Sequence, residues 1–203
     1  MKVENRIYEN PEVTIRAFKE GDNMVLEGYA ALYNVESRLL YENGKRFIEV
    51  IERGAFKDVV GGDVYLTFNH SKDTILARTI NKTLELKDDE KGLYFRAILN
   101  ETSTSKDLYI MVERGDVVEN SFAFTVDEGQ KWERSAEGVP LRRISRISNL
   151  FDVSVVTKAA YPKTEVYARG FEEFESTQEP IKIDQSSNLN ELELITLKLK
   201  ITK

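Results

Sequence analysis

The sequence predicts an α+β protein made mainly of antiparallel β-strands that close, or nearly close, into a β-barrel with a few surrounding helices. Two observations lead to this fold class. The first two-thirds of the 203-residue chain contains many short segments rich in β-branched and aromatic residues, separated by turn residues. Helical periodicity is confined to one or two stretches, and strands do not alternate with helices as they do in βαβ units. A β-sandwich is the structural alternative.

The strand predictions rest on alternation and on turn signals. Apolar residues at 13, 15 and 17 alternate with their neighbours, which is typical of a half-buried strand. The turn cluster Gly21-Asp22-Asn23 separates this strand from a second one at 24–33. A polar run at 88–92 indicates a hairpin between two later strands. The further predicted strands are residues 47–51, 64–69, 83–87, 93–99, 117–126 and 150–157.

One segment shows the periodicity of an α-helix. Leu108, Met111 and Val112 fall at helical spacing, and the Ser/Thr-rich run 102–105 before them offers N-cap residues. Gly115 is well placed to end the helix, because glycine adopts the left-handed backbone conformation that is common just after a helix. The sequence therefore predicts a helix that begins near residue 102 and ends before Gly115.

Two other segments carry weaker signals. Residues 53–60 predict a short helix that the pair Gly61-Gly62 would stop. The polar segment 128–138 predicts a mobile loop that Trp132 anchors in part.

Composition changes after Tyr167. Residues 171–178 are acidic, residues 180–190 read as a linker, and residues 189–201 place leucine and isoleucine between charged residues. That last pattern fits an amphipathic helix or an edge strand equally well. We therefore expect a β-barrel domain at residues 1–170, followed by a linker and an amphipathic C-terminal tail at residues 171–203.

Composition also narrows the function classes. A net charge of −6 argues against a nucleic-acid partner, and the basic cluster Arg142, Arg143 and Arg146 is expected on a solvated sheet face. No apolar stretch is long enough to span a membrane, so no membrane partner is expected. The chain has no cysteine and one histidine, which excludes disulfides, cysteine nucleophiles and histidine-rich metal sites. No P-loop or other phosphate-binding motif is present, and we expect neither a metal nor a cofactor.

Three residues could carry chemistry. His70 follows a predicted strand, and histidine titrates near neutral pH, which suits a general base. Ser121 lies within a strand whose Phe122 and Phe124 would face the core, so its hydroxyl would point to the opposite, solvent-facing surface at a defined place. Each residue also has an ordinary interpretation, a histidine without a role and a serine on a solvated strand face.

Asp152 lies in an apolar strand, where a buried carboxylate needs a partner. An imidazole N–H is one suitable partner, and Arg142, Arg143 or Arg146 in a structural ion pair is another. A serine, a histidine and a carboxylate together make the parts of an acyl-transfer triad. All three residue types are common, so their presence does not by itself establish catalysis.

Short motifs around these residues occur in one order over roughly residues 25–168. They are Gly28-Tyr29-Ala30, Ile51-Glu52-Arg53-Gly54-Ala55-Phe56, Phe68-Asn69-His70, Ala77-Arg78-Thr79, Glu113-Arg114-Gly115-Asp116-Val117, Ser121-Phe122-Ala123-Phe124, Leu150-Phe151-Asp152-Val153-Ser154-Val155-Val156-Thr157 and Ala159-Ala160-Tyr161-Pro162. In this order they resemble the prohead (capsid maturation) protease family of tailed phages.

The resemblance implies a serine endopeptidase with a β-barrel similar to that of herpesvirus assemblin. It implies Ser121 as nucleophile, His70 as base and Asp152 as third member. The family commonly has glutamate at the third position, so aspartate is a departure that shortens the arm by about 1.5 Å, one C–C bond. By analogy, the segment Lys158-Ala159-Ala160 is a candidate source of oxyanion-hole donors.

The resemblance also implies where the protein acts and on what. The expected substrates are the scaffolding segment of the major capsid protein, or a separate scaffold, and the protease itself. The expected place is the bacterial host cytoplasm, inside the assembling prohead, and a homodimer or larger homo-oligomer is expected. The alternative is a non-catalytic capsid-assembly or scaffold-binding β-barrel whose triad residues are incidental.

Overall fold

The computed structural model describes residues 3–8, 15–42 and 45–157. Within these ranges the chain forms thirteen β-strands and one α-helix. The strands are β1 (Glu4–Tyr8), β2 (Ile15–Glu20), β3 (Asn23–Leu32), β4 (Leu40–Glu42), β5 (Lys45–Ile51), β6 (Tyr65–Phe68), β7 (Ile75–Arg78), β8 (Leu84–Asp88), β9 (Gly92–Ile98), β10 (Glu119–Thr125), β11 (Gln130–Arg134), β12 (Pro140–Ile144) and β13 (Asn149–Val156). The helix, α1, is Ser103–Glu113.

The strands form three sheets. The central sheet has the order β1-β10-β13-β6-β7, the second β2-β3-β9-β8 and the third β11-β12-β5-β4. Most neighbours are antiparallel, but β13 pairs with β6 in parallel and β12 pairs with β5 in parallel. The central sheet matters most for function, since it contains the strands on which the candidate site is built.

The predicted fold class is confirmed in part. The described residues are mostly β-sheet with one helix, but the predicted closed antiparallel barrel is wrong. Each of the three sheets keeps two edge strands, whereas a barrel closes by pairing its first strand with its last. Alternation of apolar and polar residues shows that a segment is a strand. It does not show which strand pairs with which, so closure could not be read from the pattern. Likeness to assemblin stays a prediction.

A single apolar core joins the sheets, and strand β10 is anchored in it. The rings of Phe122 and Phe124 are fully buried with their centroids 4.9 Å apart, and Phe56 packs edge-on against Phe122 at 5.3 Å. Truncating such a buried ring typically costs about 3–5 kcal/mol of unfolding free energy. The predicted inward orientation of Phe122 and Phe124 is therefore confirmed, and it holds β10 in place.

The predicted helix is confirmed at both ends. Thr102 is the N-cap, and its hydroxyl oxygen accepts the backbone N–H of Ser105 at 3.3 Å. Gly115 follows the last turn with a left-handed φ of 80°, and its N–H bonds back into the helix. Leu108 and Val112 lie on the buried face, so the helical spacing in the sequence marks the side that packs on the core.

Two local predictions are wrong. Residues 53–61 form successive turns instead of a short helix, because Gly54 has a φ of +83° that breaks a right-handed helix at its start. The segment expected to be a mobile loop contains strand β11. Trp132 on that strand packs edge-on against Phe47 at 5.3 Å between ring centroids, which gives this polar strand its apolar anchor.

Four charged side chains meet in the interior where β1, β5 and β12 approach one another. Glu4, Arg6, Glu49 and Arg142 are each at most 4% exposed. Arg6 Nε donates to Glu49 Oε1 at 2.6 Å, Arg142 Nη1 donates to Glu49 Oε2 at 2.9 Å, and both guanidinium groups donate to Glu4 Oε2 at 2.5 Å. Two cations and two anions balance, which is how buried charges are tolerated.

This charge network corrects the prediction for the basic cluster. Arg142 is fully buried instead of lying on a solvated face. Arg143 is half-buried and bonds to Glu133, while Arg146 is exposed and pairs with Asp58 at 3.2 Å. Arg142 and Arg143 divide between the interior network and the surface because neighbouring residues of strand β12 point to opposite faces, whereas Arg146 lies beyond the end of that strand.

Nothing in the described ranges forms a helix that is both long and apolar enough to cross a bilayer. The predicted domain boundary near residue 170 and the predicted C-terminal tail lie outside the described residues.

Candidate active site

The candidate site is built on three neighbouring strands of the central sheet. Ser121 lies on β10 and Asp152 on β13, and these strands pair so that Ser121 faces Ser154 and Ala123 faces Asp152. Strand β6 lies on the other side of β13, and His70 follows its end by two residues. The sheet therefore brings together residues that are 51 and 82 positions apart in the chain.

His70 occupies a constrained turn. Both Asn69 and His70 have left-handed backbone conformations, with φ of 54° and 55°, which costs a non-glycine residue free energy. The backbone N–H of Asn69 donates to the carbonyl of Val155 at 2.9 Å, and the side-chain oxygen of Asn69 accepts the N–H of Thr157 at 3.0 Å. These bonds to the end of β13 compensate for the strain and aim the imidazole back over the sheet.

The imidazole bridges the other two side chains. His70 Nε2 lies 2.7 Å from Ser121 Oγ, and His70 Nδ1 lies 2.7 Å from Asp152 Oδ1. Both distances fall within the reach expected of a nucleophile, a base and the group that orients the base. An ionised carboxylate can only accept, so Nδ1 carries the proton toward Asp152. Nε2 is then left to accept the hydroxyl proton of Ser121.

The partner of Asp152 is therefore the imidazole. The sequence left open an ion pair with Arg142, Arg143 or Arg146, and none of these arginines bonds to it in the described ranges. The side chain of Asp152 is 17% exposed and that of His70 is 19% exposed, so this half of the site contacts solvent.

Ser121 differs from its predicted environment. The hydroxyl points away from the phenylalanine face, as alternation along the strand requires, but the residue is fully buried instead of lying on a solvent-facing surface. The strand pattern reports which side chains share a face. It cannot report whether another part of the chain covers that face.

Ser154 is a residue of the site that sequence reasoning missed. It is fully buried, and its Oγ accepts the backbone N–H of His70 at 2.9 Å and lies 3.2 Å from the carbonyl of Thr67. Ser154 thus holds the backbone of His70 in place from β13, the strand that also contains Asp152. A signal existed, since residues two apart on a strand share a face and Ser154 is two residues from Asp152.

A metal centre finds no support in the part of the chain that the structure describes. No group of three or more His, Asp or Glu side chains there is placed to hold a metal ion. The candidate oxyanion segment Lys158-Ala159-Ala160 lies outside the described residues.

A hydroxyl, an imidazole and a carboxylate hydrogen-bonded in series are the arrangement that serine hydrolases use, on many unrelated folds. The family comparison agrees with that class. Residues 11–178 match the family model for the caudovirus prohead serine protease. The chain therefore belongs to that family of phage capsid-maturation serine proteases, and the resemblance found in the sequence is confirmed.

Comparison with solved structures returned the capsid assembly protease of bacteriophage T4. The two proteins are 13% identical in sequence, and their superposition has a TM-score of 0.48. The match covers 78% of this chain and 100% of the T4 chain. No curated protein matched significantly.

Proposed function

We propose that this chain is a serine endopeptidase that cleaves polypeptide inside the immature phage capsid, with Ser121 as nucleophile, His70 as general base and Asp152 as the group that orients the imidazole. One observation carries the proposal. The hydrogen bonds from Ser121 through His70 to Asp152 form an unbroken chain of 2.7 Å links, with the tautomer of His70 set by the carboxylate.

Each residue has a defined task in the proposed reaction. His70 Nε2 takes the hydroxyl proton as Ser121 Oγ attacks the substrate carbonyl, and the imidazolium gives that proton to the leaving amine. The acyl-enzyme is then hydrolysed by water, which His70 deprotonates in turn. Asp152 stabilises the imidazolium through the Nδ1 bond and remains ionised. The candidate donors to the oxyanion in this proposal are backbone N–H groups of the segment Lys158-Ala159-Ala160, which the family resemblance suggests.

The burial of Ser121 adds a requirement. A substrate carbonyl must approach within bonding distance of the hydroxyl, and in this structure the residue has no exposed surface. Acylation therefore needs the covering residues to move aside.

Family membership supports the proposed substrates and location. The proposed substrates are the scaffolding segment of the major capsid protein, or a separate scaffold, and the protease itself. The proposed location is the prohead as it assembles in the host cytoplasm. A homodimer or larger homo-oligomer is part of the same proposal.

The direct test is co-expression of the full chain with the major capsid protein of the same phage, followed by mass spectrometry of both proteins. Ser121→Ala is expected to abolish cleavage of both. Asp152→Asn, which removes the charge and favours the wrong tautomer, is expected to slow cleavage about 10⁴-fold. The matched control is Ser103→Ala, an exposed serine of α1, which should cleave normally.

Persistent cleavage by Ser121→Ala would refute the assignment of the nucleophile. Absence of cleavage by the wild-type chain, with capsid assembly unaffected by Ser121→Ala but lost on removal of residues 176–203, would favour a non-catalytic assembly module instead.

A further inference from the structure

A cavity of about 330 Å³ opens directly beside the candidate triad. Asp152 forms part of its wall, and so does Tyr65, which pairs with Asp152 across β6 and β13. Of the three triad residues Asp152 alone lines it, so the cavity lies on the Asp152 side of the triad. Its volume is at the lower end of the range for ligand sites, large enough for one big side chain and its flanking backbone.

Two large apolar side chains of the cavity are exposed. Ile75 at the start of β7 is 43% exposed, and Phe151 on β13 is 40% exposed. Both line the same cavity, next to the aromatic ring of Tyr65. Covering exposed apolar surface is favourable by about 25 cal/mol per Å², so this wall gains free energy from an apolar occupant.

A buried hydroxyl in the same cavity lacks a partner. Thr67 is 3% exposed and lines the cavity, and its Oγ1 makes no hydrogen bond within the described ranges. Buried polar groups are nearly always paired, and leaving one unpaired costs free energy. The hydroxyl oxygen itself has less than 1 Å² of accessible surface, so an occupant reaches it only if the cavity wall shifts.

The charges at the cavity do not favour a basic occupant. Asp63 is the one carboxylate there apart from Asp152, and it is already bonded by Arg78, whose Nε donates to Oδ1 at 2.7 Å. The guanidinium of Arg78 also lies 4.4 Å over the ring of Tyr65. Lys72 is exposed and contributes a positive charge, which repels a second cation.

We propose that this cavity is a subsite that receives a large aliphatic or aromatic side chain of the substrate polypeptide, on the Asp152 side of the triad. The inference rests on the proposed protease function. Ile75 and Phe151 contact the apolar side chain. The subsite therefore selects cleavage positions by apolar bulk.

The test measures binding, so that it does not depend on catalysis. Overlapping peptides that span the major capsid protein of the same phage are titrated against the full-length Ser121→Ala chain by fluorescence anisotropy. In the peptide that binds most tightly, each Leu, Ile, Met and Phe is then replaced by alanine, one at a time. One replacement is expected to weaken binding about 10- to 100-fold, the range for losing one large buried apolar contact.

The same peptides are measured with Ile75→Ala/Phe151→Ala added. Both side chains are exposed, so the fold should tolerate their loss. The effect of the critical peptide replacement is expected to shrink to less than about threefold, because residues in contact show coupled effects. The matched control is Ile110→Ala, an exposed isoleucine of α1 that is 50% exposed, which should leave the full effect.

Undiminished discrimination in Ile75→Ala/Phe151→Ala would overturn the subsite, and so would failure of every peptide to bind. Neither result bears on the nucleophile, whose own test is cleavage by the wild-type chain against Ser121→Ala. Conversely, cleavage that survives Ser121→Ala would overturn the triad while the coupling between peptide and cavity could still be observed.

Discussion

Replacing Glu49 with alanine should destabilise the protein far more than replacing a surface glutamate. The Glu49 carboxylate is fully buried and accepts hydrogen bonds from Arg6 Nε at 2.6 Å, Arg6 Nη2 at 2.9 Å and Arg142 Nη1 at 2.9 Å. Without it, two buried guanidinium groups share only the carboxylate of Glu4. Removing one partner of a buried ion pair costs about 3–5 kcal/mol, because the other charge is left uncompensated.

A loss of this size is large against a typical unfolding free energy of about 5–15 kcal/mol. It corresponds to a fall in Tm of about 6–20 °C for a chain of this length. The assay is urea unfolding followed by the fluorescence of the single tryptophan, Trp132, which packs on Phe47 in the sheet that contains Glu49.

The matched control is Glu90→Ala. Glu90 also pairs with an arginine, Arg53, at 2.9 Å, but the two side chains are 88% and 62% exposed. Exposed pairs of this kind contribute about 0–1 kcal/mol. If Glu49→Ala costs no more than Glu90→Ala, then the interior network does not hold β1 to β5 and β12, and the burial argument is refuted.

Two further predictions concern the pH dependence of stability and the placement of the base. Burial alone would raise the pKa of Glu49, but the charges of Arg6 and Arg142 outweigh it and hold the pKa below its ordinary value of 4.5. The unfolded chain then binds more protons than the folded protein, so stability that is present above about pH 4.5 is lost as the pH falls below that value. Urea titrations from pH 7 to pH 3 should show this decrease in the free energy of unfolding, and Glu49→Gln should make the decrease smaller. Ser154→Ala removes the acceptor for the His70 backbone N–H, and we expect kcat to fall about 10- to 100-fold with little change in KM. A change in KM as large as the change in kcat, or a change in Tm without a change in kcat, would mean that Ser154 does not position the imidazole.

The strands and the helix were largely predictable because their signals are local. Alternation, turn residues and β-branched or aromatic composition identified β2, β3, β6, β10 and β13, and helical spacing with a Ser/Thr cap and a terminal glycine identified α1. Five strands have no counterpart among the predicted segments, β1, β4, β7, β11 and β12. A left-handed Gly54 replaces the expected helix with turns. The polar strand β11 has a weak local signal because its apolar contact, Trp132 with Phe47, comes from a strand distant in sequence.

The site could be predicted in its residues but not in its surroundings. His70, Ser121 and Asp152 were named from residue chemistry and from motifs in a family order, and the structure brings their side chains together. Ser154 was overlooked, and so was the cavity beside Asp152. Neither is visible in one segment, since each depends on side chains that different strands turn toward the same place.

The sequence by itself determined the family, the identity of the three candidate catalytic side chains and the positions of most strands, because these depend on residue type and on spacing along a few residues. The tertiary structure decided that the sheets stay open, that Arg142 lies inside with Glu4 and Glu49, and that Ser121 is covered. Those outcomes depend on contacts between residues up to 138 positions apart, and the exposure of a side chain is set by whatever packs on it, which no local pattern records.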